Sequence, residues 1–179
     1  MKKRIIALGL LWCLSAVMLQ AARVDTVLVR SAAMNKDVKV VYVLPDKAIG
    51  KQACPVVYLL HGYGGNARSW VQLKPELPQM ADEKGIIFVC PDGKNSWYWD
   101  SPENPDYRYE TFVTSELVKY TDGNYATIPD SKARAISGLS MGGDGALWSV
   151  IRHKDVCGAA GIMSGGVDIR PFPQNWEMN

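Results

Sequence analysis

The sequence predicts an α/β fold with a mainly parallel sheet and an N-terminal antiparallel hairpin. Short runs that are apolar on both faces recur along the chain, as expected for strands buried on both sides. Segments of helical periodicity separate these runs, and such alternation favours right-handed crossovers between parallel strands. Two valine-rich segments near the start are joined by a short polar link, which is typical of a hairpin.

Six strands are predicted. The hairpin comprises residues 23–31 and 37–45, and the later strands are residues 55–62, 85–93, 133–140 and 157–166. The polar and aromatic segment 92–110 is predicted to be a long loop. It leaves the carboxyl end of a strand, where open α/β sheets bind ligands.

Three helices are predicted, at residues 75–84, 108–121 and 142–153. The first begins at Pro75 and stops before Gly85, a common punctuation of helix ends. The second places one apolar face toward the sheet. The third is expected to turn four side chains inward: Ala146, Leu147, Val150 and Ile151. No repeat or linker divides the chain, so one domain is predicted over residues 23–179.

Residues 1–22 are interpreted as a secretory signal peptide. They begin with basic residues, continue with an apolar stretch from Ile5 to Leu19 and end with Ala21 and Ala22. The stretch is short for a membrane span, which disfavours an anchor. The predicted location is therefore secreted or periplasmic, without membrane association after cleavage.

Charge and cysteine content exclude several classes of function. The formal net charge is +2, but without Lys2, Lys3 and Arg4 the chain has 17 basic and 18 acidic residues, so no nucleic-acid partner is expected. Three cysteines remain in the mature chain: Cys54, Cys90 and Cys157. They are predicted to be unbridged, since the first two fall at opposite ends of parallel strands. Their spacing fits no metal site.

The segment "AISGLSMGGDGAL" (135–147) has the pattern G-x-S-x-G between an apolar run and a helical stretch. This pattern is typical of a nucleophile elbow, in which Ser140 sits exposed on a sharp turn. Gly138 and Gly142 remove the Cβ atoms that would clash there. The N–H of Met141, at the helix start, is predicted to be one oxyanion donor.

A second oxyanion donor is expected from the glycine-rich loop "LLHGYGGN" (59–66), most directly from the N–H of Tyr63. His61, Gly64 and Trp97 are predicted to line the substrate site. The aromatic side chains Trp97, Tyr98 and Trp99 either stack on a sugar or phenolic ring or pack on the core.

Five segments together carry a resemblance to a known family: "VVYLLHGYGGN", "GIIFVCPDG", "SWYWDSP", "YETFVTSEL" and "RAISGLSMGGDGAL". Their order resembles that of the putative-esterase family of α/β-hydrolases, which includes S-formylglutathione hydrolases, feruloyl esterases and mycolyltransferases. The resemblance runs from about Val24 to Gly166. It implies an α/β-hydrolase fold and serine esterase chemistry on Ser140. Asp144 departs from the pattern, since many members carry an aromatic residue there.

The chain has only two histidines as candidate bases, His61 and His153. A rise of 1.5 Å per helical residue places His153 roughly 18 Å from Ser140, which excludes it. The resemblance implies that His61 shapes the oxyanion loop. Asp168 reads as a turn residue, since no histidine is available for it to orient. The resemblance implies two further strands, whose following loops carry the triad acid and the histidine. We therefore expect a chain incomplete at its C-terminus, with these strands, the acid and the histidine missing.

The sequence thus predicts an exported serine esterase acting on small-molecule or carbohydrate-linked esters, with acetyl, feruloyl and short acyl groups all open. This chain alone is expected to be nearly inactive. No metal or organic cofactor is implied. Two alternatives stay open: acyl transfer of the mycolyltransferase type, and a non-catalytic binding relic of the fold. The oligomeric state is not predicted.

Overall fold

The computed structural model describes residues 22–166 and residue 168 of the 179-residue chain. The predicted signal segment, except for Ala22, lies outside the described residues, and so does nearly all of the chain after Gly166. In the described part, six strands form one sheet in the order β1-β2-β4-β3-β5-β6.

All six predicted strands are confirmed, with ends that differ by a few residues. They are β1 Arg23–Ser31, β2 Lys36–Leu44, β3 Val56–Leu60, β4 Ile87–Pro91, β5 Arg134–Leu139 and β6 Ala159–Met163. β1 and β2 form the predicted antiparallel hairpin, and β2 pairs antiparallel with β4. The β3–β4, β3–β5 and β5–β6 pairs are parallel. The sheet is therefore mainly parallel with an antiparallel end.

The helices include the three predicted ones and two short additions. They are α1 Asp46–Ile49, α2 Ser69–Leu73, α3 Leu77–Lys84, α4 Tyr109–Thr111, α5 Leu117–Asn124 and α6 Met141–Arg152. A π-helical turn, Phe112–Glu116, joins α4 to α5, so residues 109–124 form one helical segment. α3 begins two residues after the predicted Pro75, because Pro78 occupies its first turn. It ends as predicted at Gly85, which is left-handed with φ 64°.

Burial is high in the middle of the sheet and low at β6. All five residues of β4 are buried, with apolar clusters packed on both faces of the sheet. All five residues of β6 are exposed. The prediction that residues 157–166 form a strand buried on both sides is therefore wrong in its burial. Alternation of apolar residues identifies a strand, but burial also requires neighbours that cover it.

The prediction that all four apolar side chains of α6 point inward is also wrong for one of them. Ala146 is buried, and Leu147 and Val150 are half-buried, but the Ile151 side chain is 60% exposed. The helix packs on the sheet through its glycine and alanine face, and Ile151 lies outside that contact.

The three cysteines are free and buried, as predicted for Cys54, Cys90 and Cys157. Burial raises the pKa of the Cys157 thiol to about 11, so this thiol is inert at neutral pH. Within residues 22–166, every helix is too short or too polar to cross a membrane.

Candidate active site

Ser140 sits between the end of β5 and the start of α6 with φ 53° and ψ −120°. A non-glycine residue in this region is strained, and it persists only where the surroundings enforce it. The enforcing contacts are present: the Ser140 N–H donates to the carbonyl of Met163 in β6 at 2.8 Å, and its own carbonyl accepts from Gly143 at 2.7 Å. The geometry is that of a nucleophile elbow.

Two glycines make this turn possible by allowing close backbone approach. A Cβ on Gly138 would lie 2.1 Å from the carbonyl oxygen of Gly142. A Cβ on Gly142 would lie 2.2 Å from the carbonyl oxygen of Leu60, in β3. The G-x-S-x-G pattern therefore packs the elbow directly against the end of the neighbouring strand.

The loop after β3 reaches Ser140. A Cβ built on Gly62 would lie 3.7 Å from the Cβ of Ser140 and 3.3 Å from the carbonyl oxygen of Leu139. Tyr63 follows at once, so its N–H is on the loop that adjoins Ser140. Met141 is the first residue of α6, where N–H groups have no partner within their own helix. Both predicted oxyanion donors thus belong to backbone that borders Ser140.

We define residues 61–65 as the oxyanion loop. A second loop, residues 92–99, is hydrogen-bonded to it. The Asn95 Oδ1 accepts the Gly64 N–H at 2.8 Å, so that N–H is already occupied. The Tyr98 hydroxyl accepts the His61 N–H at 2.9 Å. The sequence analysis did not identify Asn95 as a site residue, because its hydrogen-bond partner lies in a distant segment of the chain. Tyr98 was noted there only as an aromatic residue.

His61 is buried, with a side chain only 1% exposed. Its Nδ1 lies 2.7 Å from the Gly62 carbonyl, which can only accept, so Nδ1 carries the proton. Its Nε2 accepts the Gly93 N–H at 2.9 Å. Both ring nitrogens are therefore engaged, and the ring supports the oxyanion loop from inside. The expectation that the His61 side chain lines the substrate site is not met, because the ring is not accessible.

Asp92 lies beside this ring without bonding to it. Its Oδ1 is 3.7 Å from His61 Nε2, beyond hydrogen-bond distance. Asp92 instead accepts from the backbone N–H of Lys94 at 3.0 Å and from the Lys94 Nζ at 2.7 Å. Burial disfavours its charge, but the two Lys94 hydrogen bonds and the Lys94 charge outweigh burial and hold the pKa of Asp92 well below its usual value. Asp92 is thus an ionised anchor of the 92–99 loop.

His153 is the residue that follows the last turn of α6, at the end away from Ser140. Its Nε2 lies 2.7 Å from Oε1 of Glu110, a buried residue of α4. Glu110 also accepts from Arg152 Nε at 2.7 Å and Trp148 Nε1 at 2.8 Å. Burial opposes ionisation of Glu110, yet these three bonds lower the pKa of its carboxyl. His153 therefore belongs to a network that fixes α6, and it does not contact Ser140.

A cleft of about 310 Å³ runs along α6 from the nucleophile end. It is lined by Trp97, Trp99, Asp144, Leu147, Trp148, Ile151 and Gly166. The indole centroids of Trp97 and Trp99 are 6.3 Å apart, and those of Trp99 and Trp148 are 5.4 Å apart. Trp97, which was predicted to line the substrate site, thus borders this cleft. Tyr98 is fully buried and packs in the core.

Asp144 lies one helical turn after Ser140 and is buried. Its Oδ2 has no hydrogen-bond partner among the described residues. Burial raises the pKa of this carboxyl, although the N–H of Gly166 opposes the shift. The residue that departs from the family pattern is therefore a buried acid at one end of the tryptophan cleft.

Asp168 is exposed beyond β6. Over residues 22–166 and 168, no group of three or more His, Cys, Asp or Glu side chains is arranged to hold a metal ion.

Comparison with known proteins gives consistent results. The family model described as "Putative esterase" matches residues 31–178. An acetyl esterase of Caldicellulosiruptor saccharolyticus is 29% identical over 132 residues, covering 69% of this chain and 48% of that protein. The diacylglycerol acyltransferase/mycolyltransferase Ag85A of Mycobacterium gordonae is 31% identical over 155 residues, covering 81% of this chain and 43% of that protein.

Among solved structures, a ferulic acid esterase superposes with a TM-score of 0.73 at 30% identity. The superposition covers 83% of this chain and 62% of that one. The described fold is that of the α/β-hydrolases. The chain spans about half the length of the curated relatives it matches.

Proposed function

The chain belongs to the putative esterase family, and from this membership we propose that the whole protein cleaves carboxylic esters through an acyl-enzyme on Ser140. The observation that carries the proposal is the strained backbone of Ser140, with φ 53° at the junction of β5 and α6. Strain of this kind is concentrated at functional sites. The family membership supports ester hydrolysis or acyl transfer in general, and the elbow supports the choice of nucleophile.

In the proposed reaction, the Ser140 Oγ attacks the ester carbonyl carbon and loses its proton to a base. The negative charge that develops on the carbonyl oxygen accepts hydrogen bonds from the N–H groups of Met141 and Tyr63. The start of α6 adds a favourable dipole at this point. The alcohol leaves with a proton, and water then hydrolyses the acyl-serine and restores the hydroxyl.

The base is the part that this chain does not supply. Both ring nitrogens of His61 are hydrogen-bonded, Nδ1 to the Gly62 carbonyl and Nε2 to the Gly93 N–H. His153 is bonded to Glu110 at the other end of α6. These are the only histidines in the sequence. Without a base the hydroxyl of Ser140 stays protonated and is a weak nucleophile. We therefore assign this chain only a residual rate, on the order of 10³–10⁴ over water, from its oxyanion donors.

Chemical rescue tests both that Ser140 is the nucleophile and that this chain does not supply its base. Hydrolysis of p-nitrophenyl acetate is measured for the chain and for Ser140→Ala, each with increasing imidazole as an external base. We expect imidazole to raise the rate of the chain well above that of Ser140→Ala, which reports the background reaction of imidazole itself. Equal rates for the two proteins would overturn Ser140 as the nucleophile. A fast rate that needs Ser140 but no imidazole would overturn the missing base.

Hydrolysis and acyl transfer differ in the molecule that accepts the acyl group from Ser140, which is water in hydrolysis and an alcohol or sugar in transfer. The similarity to a mycolyltransferase favours transfer as a second candidate, while the acetyl and ferulic acid esterases favour hydrolysis. We propose hydrolysis of small-molecule or carbohydrate-linked esters, in line with the similarity to these two esterases. Adding glucose, trehalose or glycerol to the rescued reaction distinguishes the two. Acylated sugar or glycerol in place of free acid would favour transfer.

We also propose that the protein is exported, which depends on the sequence of residues 1–22 alone. Intact-mass measurement of secreted or periplasmic material is expected to show cleavage near Ala21 or Ala22. An uncleaved N-terminus in the membrane fraction would contradict export.

A further inference from the structure

We propose that Tyr98 is a positioning residue, which fixes the oxyanion loop against the helix that carries the nucleophile. The inference rests on the proposed function, because it concerns the donor that would bind the oxyanion. It adds a residue to the site that does not contact the substrate.

The first observation is the bond between Tyr98 and the oxyanion loop. The Tyr98 side chain is completely buried, and its hydroxyl accepts the N–H of His61 at 2.9 Å. The same hydroxyl lies 3.3 Å from the His61 carbonyl, to which it donates. Both bonds are to the backbone of one residue, two positions before Tyr63. They therefore fix the start of the peptide segment that presents the Tyr63 N–H.

The second observation is where the ring lies. A Cβ added to Gly145, in the second turn of α6, would lie 2.7 Å from the Cβ of Tyr98. A Cβ added to Gly93 would lie 2.2 Å from Cε1 of the ring. The ring is thus held between the 92–99 loop and the nucleophile helix. One side chain contacts α6 with its ring and the oxyanion loop with its hydroxyl.

The third observation is the strain of the backbone that presents the ring. Trp97 and Tyr98 are consecutive non-glycine residues in the left-handed region, with φ 56° and φ 60°. Such a conformation persists only where other contacts enforce it. Here the Tyr98 N–H is held by the Ser96 hydroxyl at 3.1 Å. Burial raises the pKa of Tyr98 well above its usual value, so the hydroxyl stays neutral.

These contacts predict a catalytic effect at a distance from the reacting atoms. Removing the hydroxyl frees the His61 N–H and lets the oxyanion loop shift relative to Ser140. A misplacement of about 1 Å at a reacting group can cost on the order of 100-fold in rate. We therefore expect the substitution Tyr98→Phe, which keeps the ring, to lower kcat in the imidazole-rescued reaction by roughly 10- to 100-fold. KM should change much less, since the tryptophan cleft is intact.

The test uses three variants and two readouts. Tyr98→Phe is compared with Tyr109→Phe, a buried tyrosine after the same loop that makes no hydrogen bond to the oxyanion loop. The third variant is Gly145→Ala, which displaces the Tyr98 ring and keeps the Tyr98 hydroxyl. It replaces Tyr98→Phe if Tyr98→Phe does not fold. The readouts are kcat and KM with imidazole, and amide hydrogen exchange of residues 61–65 against β4.

We expect Tyr98→Phe to lose kcat and to exchange faster at residues 61–65 with β4 unchanged, while Tyr109→Phe resembles the parent chain. Unchanged kcat and unchanged exchange in Tyr98→Phe would overturn the proposal. Loss of protection throughout the sheet would mean that this variant does not fold, and the same two outcomes are then required of Gly145→Ala. If Ser140→Ala matches the parent chain in activity, the proposed function fails. In that case, faster exchange of Tyr98→Phe confined to residues 61–65 still supports the conclusion that Tyr98 fixes the oxyanion loop. Unchanged exchange overturns that conclusion.

Discussion

The two sides of Ser140 differ in how fully this chain builds them. On one side, the ends of β3 and β4 are buried and their loops are joined by hydrogen bonds through Asn95, Tyr98 and His61. On the other side lies β6, which pairs only with β5 within the described residues and has every residue exposed. We call these the oxyanion side and the β6 side.

The difference separates two tasks of a serine hydrolase. Stabilising an oxyanion needs backbone donors on a fixed support, and residues 56–145 on the oxyanion side form a buried and hydrogen-bonded framework that suits the proposed donors. Activating the serine needs a histidine with a free ring nitrogen. Both histidines of the chain instead serve as structural residues, one inside the oxyanion loop and one at the end of α6. Each histidine of this chain thus stabilises the local structure through its ring hydrogen bonds.

The largest expected difference in stability is between one apolar strand residue on the oxyanion side and one on the β6 side. Leu60→Ala, in β3, removes a side chain with no exposure and is expected to lower the free energy of unfolding by about 2–5 kcal/mol. Ile162→Ala, in β6, removes a side chain that is 40% exposed and is expected to cost less than about 1 kcal/mol. Urea unfolding measures both. Equal costs would mean that the β6 side is as well packed as the oxyanion side.

The next effect concerns the contact between the elbow and β3. In Gly142→Ala the new Cβ would lie 2.2 Å from the carbonyl oxygen of Leu60, so backbone must move, at a cost of about 1–3 kcal/mol or more. Gly123→Ala is the matched control, since no atom lies within 4 Å of its Cβ in α5. Helix propensity predicts that this change stabilises the protein by about 0.5–1 kcal/mol. Thermal unfolding of both variants checks the opposite signs, and destabilisation by both would contradict the contact.

A third effect tests whether Glu110 of α4 anchors the C-terminal end of α6. Its pKa is lowered in the folded protein, so its stabilisation is present above the unfolded pKa and is lost as pH falls through the folded value. Glu110→Gln is expected to cost about 1–2 kcal/mol at pH 7, with a difference that shrinks on acidification. Glu103→Gln, at an exposed carboxylate, is the control. Urea unfolding from pH 7 to pH 3 measures the difference, and a constant difference would show that the charge of Glu110 is not the cause.

The smallest effect on stability is expected at the exposed strand. Ile162→Lys is predicted to change the free energy of unfolding by less than about 0.5 kcal/mol, because its side chain is partly in solvent. It should also reduce self-association, since a charge on an edge strand discourages pairing with another chain. Sedimentation velocity at rising concentration measures this. Ile136→Lys, at a β5 residue that is 1% exposed, is expected to unfold the protein.

The sequence predicted which segments form strands better than it predicted their burial. Strong local patterns identified the hairpin, the four later strands and α6. The run that became β6 has the same apolar character as β4, yet one is exposed and the other is buried. Ile151 fits the periodicity of an inward face and still points to solvent. Burial depends on which elements pack beside a segment, and a local pattern does not contain that information. α2 was missed because five residues are too few for a periodic signal.

The candidate site was predictable where it depends on a local motif. The elbow of Ser140 and the loop of Tyr63 follow from glycines at fixed spacing. Asn95 and the hydroxyl of Tyr98 contribute through partners in a segment that is distant in sequence, so neither role was visible there. For His61 the loop-shaping role implied by the family resemblance agrees with its two ring bonds, whereas the substrate-lining role does not.

The strand order has a consequence for the order in which the protein folds. β3 pairs with β4 on one edge and with β5 on the other, although β4 and the helical segment 109–124 lie between β3 and β5 in the chain. Pairing between segments so far apart is slow, because a long loop must close before the contacts form. During synthesis from the N-terminus, the hairpin, β3 and β4 emerge first and leave an edge of β3 open. We expect the turn at Ser140 to be completed only when β5 docks on that edge, after β3 and β4 have paired.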